Sequence, residues 1–276
     1  MTRKLELSYD EFRKLEAYAR SLGLEVFSTP FDMESIDFLA SEKQKVWKIP
    51  SGELTNLPYL EKIASLPIEG KSVVISTGMA TIEEIKDALS VLEKNGMKKE
   101  EITILHCNTE YPTPYEDVNL NAFYQLKTLF SDYNLGFSDH SVGYFAGLAA
   151  VPYGITFIEK HFTLDKNFEG PDHKASVTPE ELKLLCEGIR AVEKSLGSSE
   201  KIVTVSEAKN KIVARKSIIA ARPIKKGETY TTENLTTKRP GNGISPMCWY
   251  DILGKDAEMD FEEDQLIQDS RFSNQE

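Results

Sequence analysis

A repeating unit of one short apolar segment and one amphipathic helix runs through residues 24–196. Strands that alternate with helices at this spacing predict a parallel sheet, whose strands are apolar throughout because helices cover both faces. The predicted strands are 24–29, 45–51, 72–77, 102–108, 134–139 and 155–161. The predicted helices are 1–23, ahead of the first strand, and then 32–41, 54–66, 80–95, 119–131, 142–152 and 178–196.

Two architectures share this alternation: an open doubly wound sheet and a closed (β/α)8 TIM barrel. Polar side chains stand at the C-terminal end of every predicted strand, and in a barrel these ends converge on one mouth where the chemistry takes place. The chain has no G-x-G-x-x-G segment and no P-loop, which argues against a dinucleotide-binding sheet. The pattern therefore predicts an α/β barrel. Six strands are predicted where a barrel needs eight, so we expect its first two strands to be missing.

The pattern changes after residue 197. Residues 1–197 are predicted to form the incomplete barrel, and the polar segment 198–211 is predicted to be a linker. Residues 212–276 contain short apolar runs separated by glycine and proline, which predicts a small β-rich domain.

The bulk properties argue against several classes of function. The net charge of −11 disfavours non-specific binding to nucleic acid or to an anionic membrane. No apolar run is long enough to span a bilayer, and none at the start resembles a signal peptide. The three cysteines are few and far apart, so we expect no disulfide framework and a cytoplasmic location.

Two of the four histidines follow consecutive predicted strands. His140 and His161 would therefore lie at the mouth of adjacent strands, close enough to share one ion. Neutral imidazole is the commonest metal ligand in proteins, and two imidazoles completed by water suit Mn²⁺, Zn²⁺ or Mg²⁺. The alternative is that both histidines only form hydrogen bonds to loops.

A lysine and several hydroxyls at the predicted strand ends form a candidate anion site. Lys48 would supply a positive charge, and the hydroxyls would add hydrogen bonds to a phosphate group. The hydroxyl-bearing residues are Thr29, Ser51, Ser76 and Ser138. Each of these residues taken alone is equally well explained as a cap or turn residue.

Three loops carry further candidates. Asp172 lies beside a rigid Gly-Pro turn, placed either to bind substrate hydroxyls or to cap the turn. Tyr111 lies in a loop with two prolines and either faces the mouth or packs the loop down. Arg239 precedes a Pro-Gly turn in the small domain, where an exposed charge is usually solvated.

Seven segments together resemble the bacterial sialic acid synthases (N-acetylneuraminate synthases). These segments are FSTPFD, KIPSGE, ISTGMA, LHCNTEYPTPYEDVNL, GFSDHS, IEKHFTLDKNFEGPDH and TTKRPGNGIS. The resemblance covers essentially the whole chain, and the relatives that make legionaminic and pseudaminic acids share most of these motifs. It implies a (β/α)8 barrel followed by an antifreeze-like (SAF) domain. It also implies a domain-swapped homodimer in which the small domain of one chain covers the barrel mouth of the other.

The resemblance further implies an activity and a role for each candidate residue. Family members condense phosphoenolpyruvate with open-chain N-acetylmannosamine and water, giving N-acetylneuraminate and phosphate, and a Mn²⁺ or Mg²⁺ ion polarises the sugar aldehyde. The implied metal ligands are His140 and His161, and the implied catalytic residues are Glu159 and Asp172. The implied phosphoenolpyruvate contacts are Thr29, Lys48, Ser51, Ser76 and Ser138. The implied sugar contacts are Thr109 (asparagine in some relatives), Tyr111, Glu159, Asp172 and, for the N-acetyl group, Arg239 of the partner subunit.

Two family motifs are absent from this sequence. The first is of the type E-I-G-x-N-H, whose glutamate binds sugar, and the second is of the type K-F-Q, whose lysine binds phosphate. The sequence therefore predicts a sialic acid synthase, with a legionaminic or pseudaminic acid synthase as the alternative. A further alternative is an inactive fragment that only dimerises or binds ligand. Because two strands are expected to be missing, we expect the chain alone to be poorly soluble and inactive.

Overall fold

A computed structural model describes residues 6–272 of the chain. The chain divides into two compact units, Met1–Gly197 and Ser198–Glu276, which are treated separately below. Between residues 6 and 272, no helix has both the length and the apolar character needed to cross a membrane.

A five-stranded parallel sheet forms the centre of the first unit. Its strands are β1 (Val46–Ile49), β2 (Ser72–Ser76), β3 (Ile102–Cys107), β4 (Asn134–Asp139) and β5 (Phe157–Lys160). Each strand pairs in parallel with the one before it, so the order across the sheet is β1-β2-β3-β4-β5. A doubly wound sheet reverses its strand order at a switch point, whereas a barrel adds its strands in one direction. The predicted α/β class with a parallel sheet is confirmed, and the order is that of a barrel wall.

One predicted strand is not formed. Residues 24–29 run without a ladder to any strand, and the main chain of Ser28 is bonded instead to the side chain of Gln44. Ser28 N donates to Gln44 Oε1 over 2.7 Å, and Gln44 Nε2 donates to Ser28 O over 2.8 Å. These two bonds take the place of a strand ladder. Within residues 6–272 the parallel sheet therefore has five strands rather than six, and β1 and β5 are not paired with each other.

The helices of the first unit alternate with the strands, as the periodicity predicts. They are α1 (Tyr9–Ser21), α2 (Met33–Ser41), α3 (Leu57–Ser65), α4 (Ile82–Lys94), α5 (Tyr115–Val118), α6 (Ala122–Leu129), α7 (Phe145–Ala150) and α8 (Pro179–Leu196). Capping boxes begin three of them: Ser8 with Glu11 before α1, Thr81 with Glu84 before α4, and Thr178 with Glu181 before α8. The last two lie at the helix starts expected from the sequence.

The first helix has an apolar face that is exposed among the described residues. The helix predicted over 1–23 forms from Tyr9 to Ser21, and residues 1–5 lie outside the described part of the chain. Leu15 and Tyr18, two large apolar side chains of this helix, are both more than half exposed. A stop at Gly23 is confirmed, because this glycine has a φ of +80°, which most other residues avoid.

The core of the first unit lies between the sheet and its helices. Apolar side chains of β1 to β4 pack against α2, α3, α4 and α6 in one continuous cluster. Between β4 and β5 the packing is so close that a Cβ added at Gly136 would lie 2.7 Å from Phe157 O. The register of these two strands places Ser138 beside Glu159 and Asp139 beside Lys160.

The second unit is a small module built around a two-stranded antiparallel sheet. Its elements are α9 (Val205–Ala214), β6 (Ser217–Ala220), β7 (Leu235–Lys238) and α10 (Trp249–Ile252). The segment predicted as the linker 198–211 contains most of α9, because Thr204 and Glu207 form a capping box that begins a helix there. The core of the module includes Ile218, Tyr230 and Phe261.

Candidate active site

The curvature of the parallel sheet is shown by a contact between its first and last strands. Across a flat sheet, β1 and β5 would be separated by four strand spacings, or roughly 19 Å. Lys48 Nζ of β1 nevertheless lies 3.5 Å from Glu159 Oε2 of β5. The sheet must therefore curl so that the C-terminal ends of its strands face one another. Side chains from β1 to β5 then converge at one mouth, which is where barrel enzymes have their active sites.

Lys48, Glu159 and Ser138 form the centre of this mouth. The Lys48 residue is only 5 % exposed, so its ammonium group is largely removed from water. Ser138 Oγ donates to Glu159 Oε1 over 2.6 Å, while the other oxygen of Glu159 faces Lys48. Both oxygens of the carboxylate therefore have partners, and a buried cation stands beside a hydroxyl at the end of β4. This arrangement can hold an anionic group by charge-assisted hydrogen bonds.

His140 follows β4 with its ring fixed by the backbone. Its Nδ1 lies 2.5 Å from Asn108 O, and because a carbonyl oxygen can only accept, Nδ1 carries the proton. Burial lowers the pKa of His140, which favours the neutral ring. Its Nε2 is therefore an acceptor, 3.2 Å from Ser138 Oγ. The single proton of Ser138 goes to Glu159. The Ser138 hydroxyl therefore does not donate to the Nε2 lone pair of His140.

His161 completes the pair after β5. The two histidine rings lie 5.1 Å apart, almost perpendicular, and the ring of Tyr111 packs against both, at 4.1 Å from His140 and 5.4 Å from His161. His161 Nδ1 is 3.9 Å from Asp172 Oδ2. Burial raises the pKa of Tyr111 to about 12, so its hydroxyl stays protonated and can donate a hydrogen bond.

This donor set fits a divalent ion. A carbonyl partner on Nδ1 that leaves Nε2 free is the usual arrangement behind a metal-bound histidine. Within residues 6–272 no group of three His, Cys, Asp or Glu side chains is close enough to hold an ion, so the two histidines would need water or substrate oxygens to complete the coordination. An ion on His140 and His161 would keep several positions for water or substrate oxygens, as catalytic metal sites do.

The ends of β1, β2 and β3 meet on the other side of the mouth. Ser51 Oγ accepts from Gly78 N over 3.0 Å and lies 3.3 Å from Cys107 Sγ. A Cβ at Gly78 would lie 2.6 Å from the Thr109 methyl group, so only glycine lets these ends approach so closely. Among residues 6–272, Ser76 Oγ is buried and has no hydrogen-bond partner, which is rare for a buried polar atom.

Some predicted residues stand apart from this cluster. Thr29 ends the unpaired segment 24–29, and within the described residues no hydrogen bond or ion pair joins it to the mouth. Asp172 is more than half exposed, and its Oδ2 lies 3.9 Å from His161 Nδ1 at the edge of the cluster. Arg239 belongs to the second unit, where its Nε donates to Ala214 O over 2.9 Å.

Several residues of the site were not assigned a role from the sequence. Asn108 acts through its main-chain carbonyl, which no side-chain pattern indicates. Cys107 immediately precedes Asn108, and the sequence gives no sign that its thiol lies beside Ser51. Asp139 and Lys160 could have been found from the sequence. Each directly precedes one of the two histidines, and the two residues pair with each other on neighbouring strands.

Comparison with known proteins agrees with the two-unit architecture. Residues 1–201 match the NeuB family, and residues 215–273 match the SAF domain. The chain is 51 % identical to the N,N'-diacetyllegionaminic acid synthase of Campylobacter jejuni over 98 % of this chain and 79 % of that protein. It is 41 % identical to the enzyme of the same name from Legionella pneumophila, over 94 % and 72 %.

A solved structure is also similar. The crystal structure of the sialic acid synthetase of Leptospira borgpetersenii, in complex with citrate, is 33 % identical to this chain and superposes with a TM-score of 0.67. The match covers 74 % of this chain and 70 % of that one. The chain therefore belongs to the NeuB family, whose members include synthases of sialic, legionaminic and pseudaminic acids, and it carries a SAF domain after the synthase part.

Proposed function

We propose, contrary to the expectation that a chain without the first two barrel strands is inactive, that the protein condenses phosphoenolpyruvate with an N-acetylated amino sugar and water, giving a nine-carbon sugar acid and phosphate. The observation that carries this proposal is the mouth of the curled sheet. There a buried lysine, a hydroxyl paired with a carboxylate and two adjacent histidines converge from β1, β4 and β5.

Phosphoenolpyruvate binds at the cationic side of the mouth. Lys48 supplies the charge, and the hydroxyls of Ser51 and Ser76 supply hydrogen bonds. The Ser138 hydroxyl adds another when its proton turns from Glu159 to the phosphate. The unpartnered Oγ of buried Ser76 supports this role, because a ligand oxygen would satisfy it. The overall charge of −11 does not oppose binding of an anion, since the field at the mouth is set by the nearest groups.

The sugar aldehyde lies on the histidine side. His140 and His161 would hold a Mn²⁺ or Mg²⁺ ion, which would supply Lewis-acid polarisation of the aldehyde oxygen. Tyr111 packs against both rings and donates from its protonated hydroxyl to the sugar. Asp172, beside His161, accepts from a sugar hydroxyl.

The reaction joins the two substrates between these sides. C3 of phosphoenolpyruvate forms a bond to the aldehyde carbon, water adds at C2, and phosphate then leaves from C2. Glu159 holds the Ser138 hydroxyl and the Lys48 ammonium in place, so the groups that bind phosphoenolpyruvate stay aligned with the aldehyde. An orientation fixed before the substrates meet removes part of the entropic barrier.

The preferred sugar is the diacetamido analogue of N-acetylmannosamine. Support comes from the identities of 51 % and 41 % to two N,N'-diacetyllegionaminic acid synthases, against 33 % to the solved sialic acid synthetase. N-acetylmannosamine, which the sequence motifs favoured, is the second candidate, because those motifs are shared by both groups.

A competition experiment decides between the two sugars. The protein is given phosphoenolpyruvate, Mn²⁺ and equal concentrations of both sugars, and the products are separated by mass. We expect the diacetylated acid to dominate, and the variant His140→Gln to yield neither product. Predominance of N-acetylneuraminate would reverse the assignment of the sugar and leave the reaction class intact.

A further inference from the structure

The ladder between β4 and β5 ends in two polar pairs on opposite faces of the sheet. Ser138 is registered with Glu159 on the face of the mouth, and the next pair, Asp139 with Lys160, points the other way. Asp139 Oδ2 lies 3.1 Å from Lys160 Nζ, without a hydrogen bond of standard geometry. The two side chains are 1 % and 3 % exposed, so this ion pair lies out of water behind the site.

A buried ion pair by itself usually adds little to the stability of the folded state. Removing two charges from water costs about as much as their attraction returns, and well-packed apolar residues often do as well. The role of this pair therefore depends on the other hydrogen bonds that its two charged groups form. Both charged groups turn toward the same residue, Ser141.

Ser141 is held at both of its main-chain groups. Asp139 Oδ1 accepts from Ser141 N over 2.9 Å and from Ser141 Oγ over 2.7 Å, and Lys160 Nζ donates to Ser141 O over 2.5 Å. Ser141 is fully buried and follows His140 directly in the chain. The carbonyl oxygen of His140 itself accepts from Thr113 N over 3.0 Å. The backbone on either side of the His140 ring is thus fixed.

We propose that Asp139 and Lys160 are positioning residues that fix His140 against His161 from the opposite face of the sheet. Asp139 directly precedes His140, and Lys160 directly precedes His161, so one ion pair ties together the two strand ends that carry the rings. The part of this proposal that concerns metal affinity rests on the proposed function. The part that concerns the His140 ring does not.

The test uses a double variant, Asp139→Leu with Lys160→Met, which removes both charges and leaves neither one unpaired in the interior. The matched control is Lys166→Met. Lys166 forms a nearby ion pair with Glu181, at 2.6 Å, and within residues 6–272 neither of these side chains is hydrogen-bonded to Ser141 or belongs to the mouth. The control therefore removes a neighbouring lysine charge without touching the backbone beside His140.

The first readout is the nitrogen spectrum of ¹⁵N-labelled histidine, recorded above the ordinary histidine pKa of about 6.5. The chain has four histidines, so each signal can be assigned by substitution. His140 should show a protonated Nδ1 bonded to Asn108 O, and His106, whose Nε2 bonds Val118 O in the core, serves as the internal control for folding. We expect the His140 signal to broaden or average between tautomers in the double variant, with His106 unchanged and with no change in Lys166→Met.

The second readout is Mn²⁺ affinity, measured from the electron paramagnetic resonance signal of free Mn²⁺ without substrates. Loss of groups that orient metal ligands typically weakens binding by about 10- to 100-fold, and we expect a loss of that size. A His140 signal that stays as in the wild type in the folded double variant would overturn the proposal. If the double variant does not fold, the same comparison is made in Asp139→Asn, and an unchanged His140 signal there overturns it equally. Wild-type protein that binds no Mn²⁺ would refute the proposed metal site, while the histidine spectrum would still decide the role of the ion pair.

Discussion

The hydroxyl of Ser138 has one proton, and two neighbours are in reach of it. Glu159 Oε1 at 2.6 Å is a charged acceptor, whereas His140 Nε2 at 3.2 Å is a neutral one. Short bonds to carboxylates are the stronger ones, so the proton goes to Glu159. His140 is thereby left with a lone pair directed into the mouth. Ser138 thus lies between the Lys48–Glu159 pair on one side and the His140 ring on the other.

Lys48 provides the first prediction at this scale. Lys48→Met should weaken phosphoenolpyruvate binding by tenfold or more, because a charge-assisted hydrogen bond contributes about 1.5–3 kcal/mol and each 1.4 kcal/mol is a factor of ten. Isothermal titration calorimetry measures the effect. Lys45→Met is the matched control, since Lys45 is exposed at the start of the same strand. Equal affinities in the wild type and in Lys48→Met would remove Lys48 from the proposed anion site.

Much of the site could be predicted residue by residue, and the reason is the parallel sheet. Parallel strands end at one edge, so polar side chains at the ends of β1, β4 and β5 had to converge, and Lys48, Ser138, Glu159, His140 and His161 do. The carbonyl of Asn108 and the partner of each charge could not be predicted. These depend on backbone paths and on atoms of neighbouring strands that one segment does not encode.

At the scale of whole elements, local patterns located the helices better than the strand ladders. Thr81 and Thr178 begin helices because a cap and an acidic residue three positions later lie within one segment. Residues 24–29 have the apolar pattern of a strand, but a ladder also needs a neighbour, and Gln44 bonds the main chain instead. The helix α9 in the predicted linker carried the same capping signal, Thr204 with Glu207, among otherwise polar residues.

The close approach of β4 and β5 yields a prediction on stability. Gly136→Ala should destabilise the first unit by about 1–3 kcal/mol, the usual cost of forcing a methyl group into a packed interior, because its Cβ would meet the main chain of Phe157. Urea unfolding followed by circular dichroism measures this. Gly52→Ala is the control, since a Cβ there meets no atom within 4 Å. A wild-type midpoint for Gly136→Ala would show that the strands have more room than the structure gives them.

The end of α3 gives a second prediction at this scale. Lys71 Nζ donates to the carbonyl oxygens of Ile63, Ala64 and Leu66, which are among the groups that a helix end leaves unbonded. Lys71→Met should therefore lower the free energy of unfolding by about 1.5–3 kcal/mol, as loss of bonds from a charged donor does. Lys94→Met, at the exposed last turn of α4, should change it by less than about 0.5 kcal/mol. Equal unfolding curves for the two variants would contradict the capping role.

At the scale of the whole molecule, the resemblance predicts that Arg239 of the partner subunit takes part in recognition of the sugar. Arg239→Ala should raise the Michaelis constant of the amino sugar about tenfold or more while that of phosphoenolpyruvate stays unchanged, because only the N-acetyl group is expected to contact this guanidinium. Lys226→Ala removes an exposed charge from the same unit and should change neither constant. An equal rise of both constants in Arg239→Ala would refute the assignment.

The central claim is that the mouth of the curled sheet joins phosphoenolpyruvate to an N-acetylated amino sugar. The most direct measurement is the release of phosphate from phosphoenolpyruvate in the presence of Mn²⁺, with and without the diacetamido sugar or N-acetylmannosamine. The account predicts release only when one of these sugars is present, and its loss in the double variant His140→Gln with His161→Gln. Release that does not depend on the sugar, or that persists at the wild-type rate in this variant, would contradict it.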